Sequence, residues 1–171
     1  MNEVCQYYGK YRGTVVNNID PEQRGRLLVT VPDVLGVNLS SWAMPCLPLA
    51  GSNMGIYTVP PVNAGVWIEF EQGDPDYPVW VGCFWGTAAE VPALARSVPP
   101  TVPGITLQTV TQNGLVISDV PGPTGGIRIQ IASGAAITIT DAGIFLSNGK
   151  GAMISLSGKT VDINGGALTI T

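Results

Sequence analysis

The sequence predicts an all-β protein in two parts: a small closed barrel, then a needle whose core is shared between identical chains. Three observations carry this expectation. The 171 residues are 45% hydrophobic but only 12% charged, with 22 glycines and 14 prolines, a composition of many short strands and turns. Between residues 11 and 84, four alternating segments rich in Val, Ile, Trp and Phe are separated by Asn, Asp, Gly and Pro. From about Leu115 the chain becomes a run of Ile-x-Ile pairs broken by glycine.

The pairs are Ile127/Ile129 (extended to Ile131), Ile137/Ile139, Ile144/Leu146, Ile154/Leu156, Val161/Ile163 and Leu168/Ile170. Polar residues such as Arg128, Thr138, Ser155, Asp162 and Thr169 stand between them. Successive side chains leave a strand on opposite faces, so each piece has one apolar and one wet face. A single-chain solenoid would need evenly spaced repeats and more coils than this segment can supply. Three segments around one axis instead place all twelve paired residues inside a prism, giving a trimeric, intertwined β-helix. The density of Gly and Thr opposes a long amphipathic helix. Half of an ordinary β-sandwich is the other way to cover such a face. Gly134, Gly143, Gly149, Gly151, Gly158, Gly165 and Gly166 fall between pairs, where turns form and where the inward parity changes from odd (Ile137/Ile139) to even (Ile144/Leu146) and back (Val161/Ile163).

In the first part, residues 11–16, 26–31, 65–71 and 78–84 read as strands by alternation and β-propensity. Asn17–Pro21 and Gln72–Pro78 supply the turns. About five short strands in this length suit a Greek-key barrel of the OB type. Phe70, Trp67 and Trp80 are expected in the barrel interior or against partner chains.

Charge and composition narrow the function. Residues 1–103 hold five Lys or Arg against nine Asp or Glu, and residues 104–171 hold three of each. Neither part offers the basic surface that nucleic acid requires. There is no histidine, so the usual general base and the commonest metal ligand are missing. The acid pairs Glu69/Glu71 and Asp74/Asp76 lie on strand alternation or in a turn, with no sign of a catalytic cleft. No enzymatic activity, cofactor or metal is expected. Cys5, Cys46 and Cys83 have no ligand spacing and are expected as buried free thiols, with a Cys46–Cys83 bridge or a bridge from Cys5 to a partner as the alternatives. The start lacks a basic and an apolar signal region, and no stretch approaches the ~20 apolar residues of a membrane span, so synthesis in the cytoplasm is expected.

One stretch is more specific than composition. Asp20-Pro-Glu-Gln-Arg-Gly-Arg26, then Leu28–Pro32, Ser41-Trp42, Ala50-Gly51, Gly55 and Pro60 through Gly82 keep an order and spacing that resemble the OB-fold domain of contractile-tail spike proteins. That family includes the phage baseplate assembly protein V group, the phage cell-puncturing hub protein and the VgrG spike of type VI secretion. The resemblance covers about residues 10–86. It implies an N-terminal extension contacting a hub (1–10), an OB-fold domain (11–86), a Pro-rich linker (87–103) and a β-helical needle (104–171). Its matching residues have structural roles: Gly25, Trp42, Gly65, Phe70, Gly73, Asp74, Pro75 and Gly82 are expected in turns and core, with Gly65 and Gly73 at positive φ. Asp20 and Asp74 are expected as acceptors in turns. Asn63 stands where the family usually carries glycine, and Asn tolerates the left-handed region.

The resemblance also implies a role. The chain would be the homotrimeric central spike at the distal end of a virion's tail baseplate, contacting the host envelope transiently. A separate hub protein and a PAAR-type tip protein are implied, because the chain has no room for a tube-docking domain and its strands run to the end. No inserted lysozyme domain fits between residues 87 and 103. A tailocin, an extracellular injection system or a secretion apparatus would use the same part. An OB-fold protein binding single-stranded nucleic acid and a trimeric adhesin are more distant alternatives.

Overall fold

A computed structural model describes residues 5–170, the side chain of Thr169 excepted, and the chain divides into two compact units between Ala88 and Ala89. Residues 1–4 of the N-terminal extension and Thr171 lie outside the described residues.

The first unit contains β1 (Tyr11–Asn17), β2 (Leu28–Thr30), the single helical turn α1 (Pro32–Leu35), β3 (Met44–Pro45), the small hairpin β4 (Ala50–Gly51) and β5 (Met54–Gly55), β6 (Gly65–Phe70) and β7 (Pro78–Phe84). Five strands pair in the order β2-β1-β6-β7-β3. Two neighbouring residues close this sheet on itself. Ala43 bridges to Leu27 at the β2 side, while Met44 pairs in parallel with Val79 of β7 at the other side. The curled sheet encloses Val15, Leu27, Val29, Val31, Ala43, Val66, Ile68, Phe70 and Trp80. This is the OB-type barrel, and alternation along β6 sends Val66, Ile68 and Phe70 inward.

The same alternation sends Trp67 outward, so it is not interior mass. Its ring packs against Phe84 at a tilt of 48° with centroids 4.9 Å apart, and the Arg12 guanidinium lies 5.4 Å from its centre. A bulge lets Trp67 face Gly82 while Ile68 faces Trp80, leaving Val81 as the extra residue. Gly65 also differs from expectation, since its φ is not positive. It is needed for space: a Cβ there would lie 2.7 Å from the Phe84 ring. Gly73 does take the left-handed region, at φ +80°, and its carbonyl accepts the Tyr7 N–H at 2.8 Å. Asn63 adopts φ +70°. Cys5, Cys46 and Cys83 are exposed free thiols rather than buried ones. Each stands before, after or near the end of a strand, outside the inward run.

The turn before β2 is organised by one carboxylate. Asp20 is buried and accepts backbone N–H groups of Glu22 (3.0 Å), Arg24 (2.8 Å) and Arg26 (3.2 Å), and also Nε and Nη2 of Arg26 at 3.1 and 2.7 Å. Arg26 in turn lies over half-buried Trp42, 5.5 Å from its centre. The Gly25 carbonyl, at a residue with φ +79°, accepts the buried Trp80 indole N–H at 3.0 Å, which ties the turn to β7. Asp74 does a smaller version of the same work. Its carboxylate accepts the Asp76 N–H and its carbonyl accepts that of Tyr77, with Pro75 between them at the turn position that favours proline.

The second unit is an antiparallel meander of eight strands in chain order: β8 (Gly104–Gln108), β9 (Gly114–Ser118), β10 (Gly126–Gln130), β11 (Ala136–Thr140), β12 (Gly143–Ser147), β13 (Met153–Ser157), β14 (Thr160–Ile163) and β15 (Leu168–Ile170). Backbone hydrogen bonds are thus satisfied between sequence neighbours. From Ala89 on, the Pro-rich connection belongs to this unit. Leu94 N–H donates to the Gln108 side chain at 2.8 Å, and Arg96 donates to the carbonyls of Ala89 and Val91. Leu94 and Val98 lie over β8 and β9, where a Cβ on Gly114 or Gly104 would meet them at 2.6 and 3.2 Å.

Asp20 yields a prediction with a definite sign. The Arg26 guanidinium, chiefly, and three backbone N–H groups hold its carboxyl well below the ordinary value of 3.8, against the opposing effect of desolvation. The stability it contributes is therefore complete above that value and is lost as pH falls below it. Asp20→Asn should lower Tm at neutral pH and flatten the acid limb of Tm against pH below about 4; thermal melts across pH 2 to 7, on the order of five points, would measure both.

Candidate functional site

The C-terminal meander turns its alternation into a surface. Cross-strand partners share a face, so the register can be followed across all eight strands. One column runs Ile105, Ile117, Ile127, Ile139, Ile144, Leu156, Val161, Ile170. A second, beside it, runs Leu107, Leu115, Ile129, Ile137, Leu146, Ile154, Ile163, Leu168. All twelve residues read from the sequence as an apolar core fall in these columns. On the other face Arg128, Thr138, Phe145, Ser155 and Asp162 pair in succession, with Phe145 the apolar exception.

Hairpin length explains the parity changes. Asp141-Ala142 and Gly158-Lys159 are two-residue turns, across which an odd position pairs with an even one: Ile139 with Ile144, and Leu156 with Val161. The five-residue loop 148–152 keeps parity, so Ile144 faces Leu156. Gly158, at φ +57°, opens its turn at the position where the tightest hairpins demand glycine. The longer loops are tied by asparagines. Asn113 Oδ1 accepts the Ala132 N–H at 2.9 Å, Asn148 Oδ1 accepts those of Lys150 and Ala152, and Asn164 Oδ1 accepts that of Met153 at 2.9 Å.

The columns hold four members ahead of the Ile-x-Ile pairs. Leu115 and Ile117 are masked in the sequence because apolar Val116 interrupts the alternation of β9, while Ile105 and Leu107 form a clean I-x-L pair that lies ahead of the run read from about Leu115. Val116 points to the opposite face, the one over which Leu94 and Val98 lie, and is buried there. The signal that could have found them is the spacing I-x-L followed by L-x-I across the connection 109–113, with Asn113-Gly114 at its close.

What separates these columns from the barrel core is exposure. The barrel's enclosed side chains are 0–6% exposed, whereas twelve of the sixteen column residues are 38–63% exposed. Monomeric proteins rarely leave so long an apolar surface uncovered. Between neighbouring strands the backbone groups are satisfied within the chain; the apolar side chains of this face lack a covering layer among the described residues, and that is the chemistry of a sheet face awaiting another sheet face.

Comparison with protein families agrees in both units. Residues 104–169 match the phage baseplate V C-terminal trimerisation domain, and residues 11–85 match the type VI secretion system/phage-baseplate injector OB domain. Among curated proteins none matches. The fold and its apolar face define a trimerising baseplate component. The chain belongs to the baseplate spike family of phage and type VI secretion injectors. Its stoichiometry is that of a homotrimer.

The columns carry a direct test. Each column residue is about half covered already, so completing its burial contributes roughly 1 kcal/mol, while a carboxylate there would meet two others in an apolar interior. Ile139→Asp and Leu156→Asp should each convert the trimer to monomer in analytical ultracentrifugation, with the barrel's far-ultraviolet signature unchanged.

Proposed function

We propose that the homotrimer is the central spike at the distal end of a contractile phage tail, a cell-puncturing device with a mechanical and not an enzymatic role. The observation that carries this reading is the unbroken pair of apolar columns across eight strands. Stacked at about 4.8 Å, eight strands make a prism roughly 34 Å long. Strands of five residues give each face a width of only about 17 Å. Such a body is narrow, and because every strand shares its core with two other chains it yields only as a whole. Sheath contraction would drive it forward and concentrate the force on the host envelope.

The barrel unit would serve as the adaptor between needle and tube, with the residues before β1 reaching a separate hub protein. At the last strand of the meander, β15 pairs with β14 alone among the described residues, leaving a strand edge and the rims of both columns. An edge of that kind attracts pairing unless covered, and a small PAAR-type tip protein would cover it. The family description spans phage and secretion injectors, so a tailocin, an extracellular injection system or a type VI apparatus is the second reading. Binding of single-stranded nucleic acid finds little support. The barrel's net charge is negative, and of its outward cations Arg12 is held over Trp67 and Phe84 while Lys10 pairs with Glu69.

Cryo-electron microscopy of intact contractile tails should show a threefold prism of about that length on the tube axis at the distal tip, and a label fused ahead of residue 1 should lie on its tube side. Density for this chain anywhere else in the particle would overturn the assignment.

A further inference from the structure

The two ends of the strands in the second unit are unlike. At one end the chain turns through the longer loops 109–113, 131–135, 148–152 and 164–167. At the other, residues 119–125 join β9 to β10 in seven residues, while Asp141-Ala142 and Gly158-Lys159 turn in two. On the long-loop side the apolar face continues one position beyond the second column, through Ile131, Ala135 and Ala152. On the short-turn side the corresponding positions include Asp141 and Lys159. An open apolar groove of about 580 Å³ follows the long-loop side, floored by Ile129, Ile137, Leu146 and Ile154.

A threefold ring of identical copies is built from heterologous contacts, so each copy presents one edge to its neighbour's other edge. We propose that the long-loop groove of each chain receives the short-turn edge of the next copy, laying Ile139, Ile144 and Leu156 of the first column over the neighbour's second column. This rests on the homotrimer and specifies how it closes. The groove is continuous with the trimerisation face, and beyond the 119–125 connection the opposite edge, along β11 to β14, carries only two-residue turns with little bulk to hold a neighbour away. The ring therefore has a single sense, every chain gripping the next in the same direction.

Cross-linking tests this in the full chain with Cys5, Cys46 and Cys83 changed to serine. Ala142→Cys and Ala152→Cys would place one thiol on each edge. Within one chain they lie at opposite ends of β12, about 17 Å apart, beyond the roughly 7 Å that a disulfide can bridge. Oxidation, or a short bismaleimide where thiol geometry is poor, should link the double variant into covalent trimers on a non-reducing gel and leave each single variant unlinked. Pairs formed by Ala142→Cys alone would show like edges meeting and overturn the proposal. So would a double variant that stays unlinked by both reagents while light scattering reports a trimer. A monomeric cysteine-free parent would overturn the homotrimer itself, and the edge pairing with it.

Discussion

Everything in the C-terminal half follows from one mismatch: its sheet satisfies its own backbone but cannot cover its own side chains. An antiparallel meander needs only short turns to complete its hydrogen bonds. Burying the apolar face needs another layer, and among the described residues this chain provides none. In the barrel the same alternation meets a different end. There Ala43 and Met44 join the two margins of a curved sheet, so inward side chains such as Val15 of β1, Val29 of β2, Ile68 of β6 and Trp80 of β7 meet in one closed interior. The two units thus use the same local code, period two with β-branched residues, and differ in whether the sheet curls enough to become its own second layer.

This difference is why the C-terminal unit reads as an assembly element and the N-terminal unit as a self-sufficient one. The barrel spends its polar side chains on internal ties such as Asp20 to Arg26 and the Trp80 indole to Gly25. The meander spends its polar side chains on loops, where Asn113, Asn148 and Asn164 fasten turns without touching the apolar face. Nothing polar interrupts either column, and a single desolvated carboxylate in it would oppose association through three copies at once.

Much of this was legible in the chain. Pairs such as Ile137/Ile139 and Ile154/Leu156 announce their face because hydroxyl residues separate them, and the run from Asp20 to Arg26 marks its turn by residue type. Other features were hidden for physical reasons. β9 carries apolar residues on both faces, since the segment containing Leu94 and Val98 covers one of them, and alternation cannot be read from a strand buried on both sides. Trp67 looks like core by size, but its parity between Val66 and Ile68 turns it outward. Gly65 looks like a turn glycine and is in fact the floor beneath the Phe84 ring. The groove beside the second column depends on how far Ile131, Ala135 and Ala152 extend the face past the strand ends, which spacing alone does not reveal.

The turn lengths also bear on how such a body can vary. Because Ile139 faces Ile144 and Leu156 faces Val161 whatever the parity of the intervening turn, a further pair of strands could be spliced in without disturbing the layers above or below. Reach would then change in steps of about 10 Å, two strand spacings at a time, while girth stayed constant. The meander is a ruler graduated in hairpins.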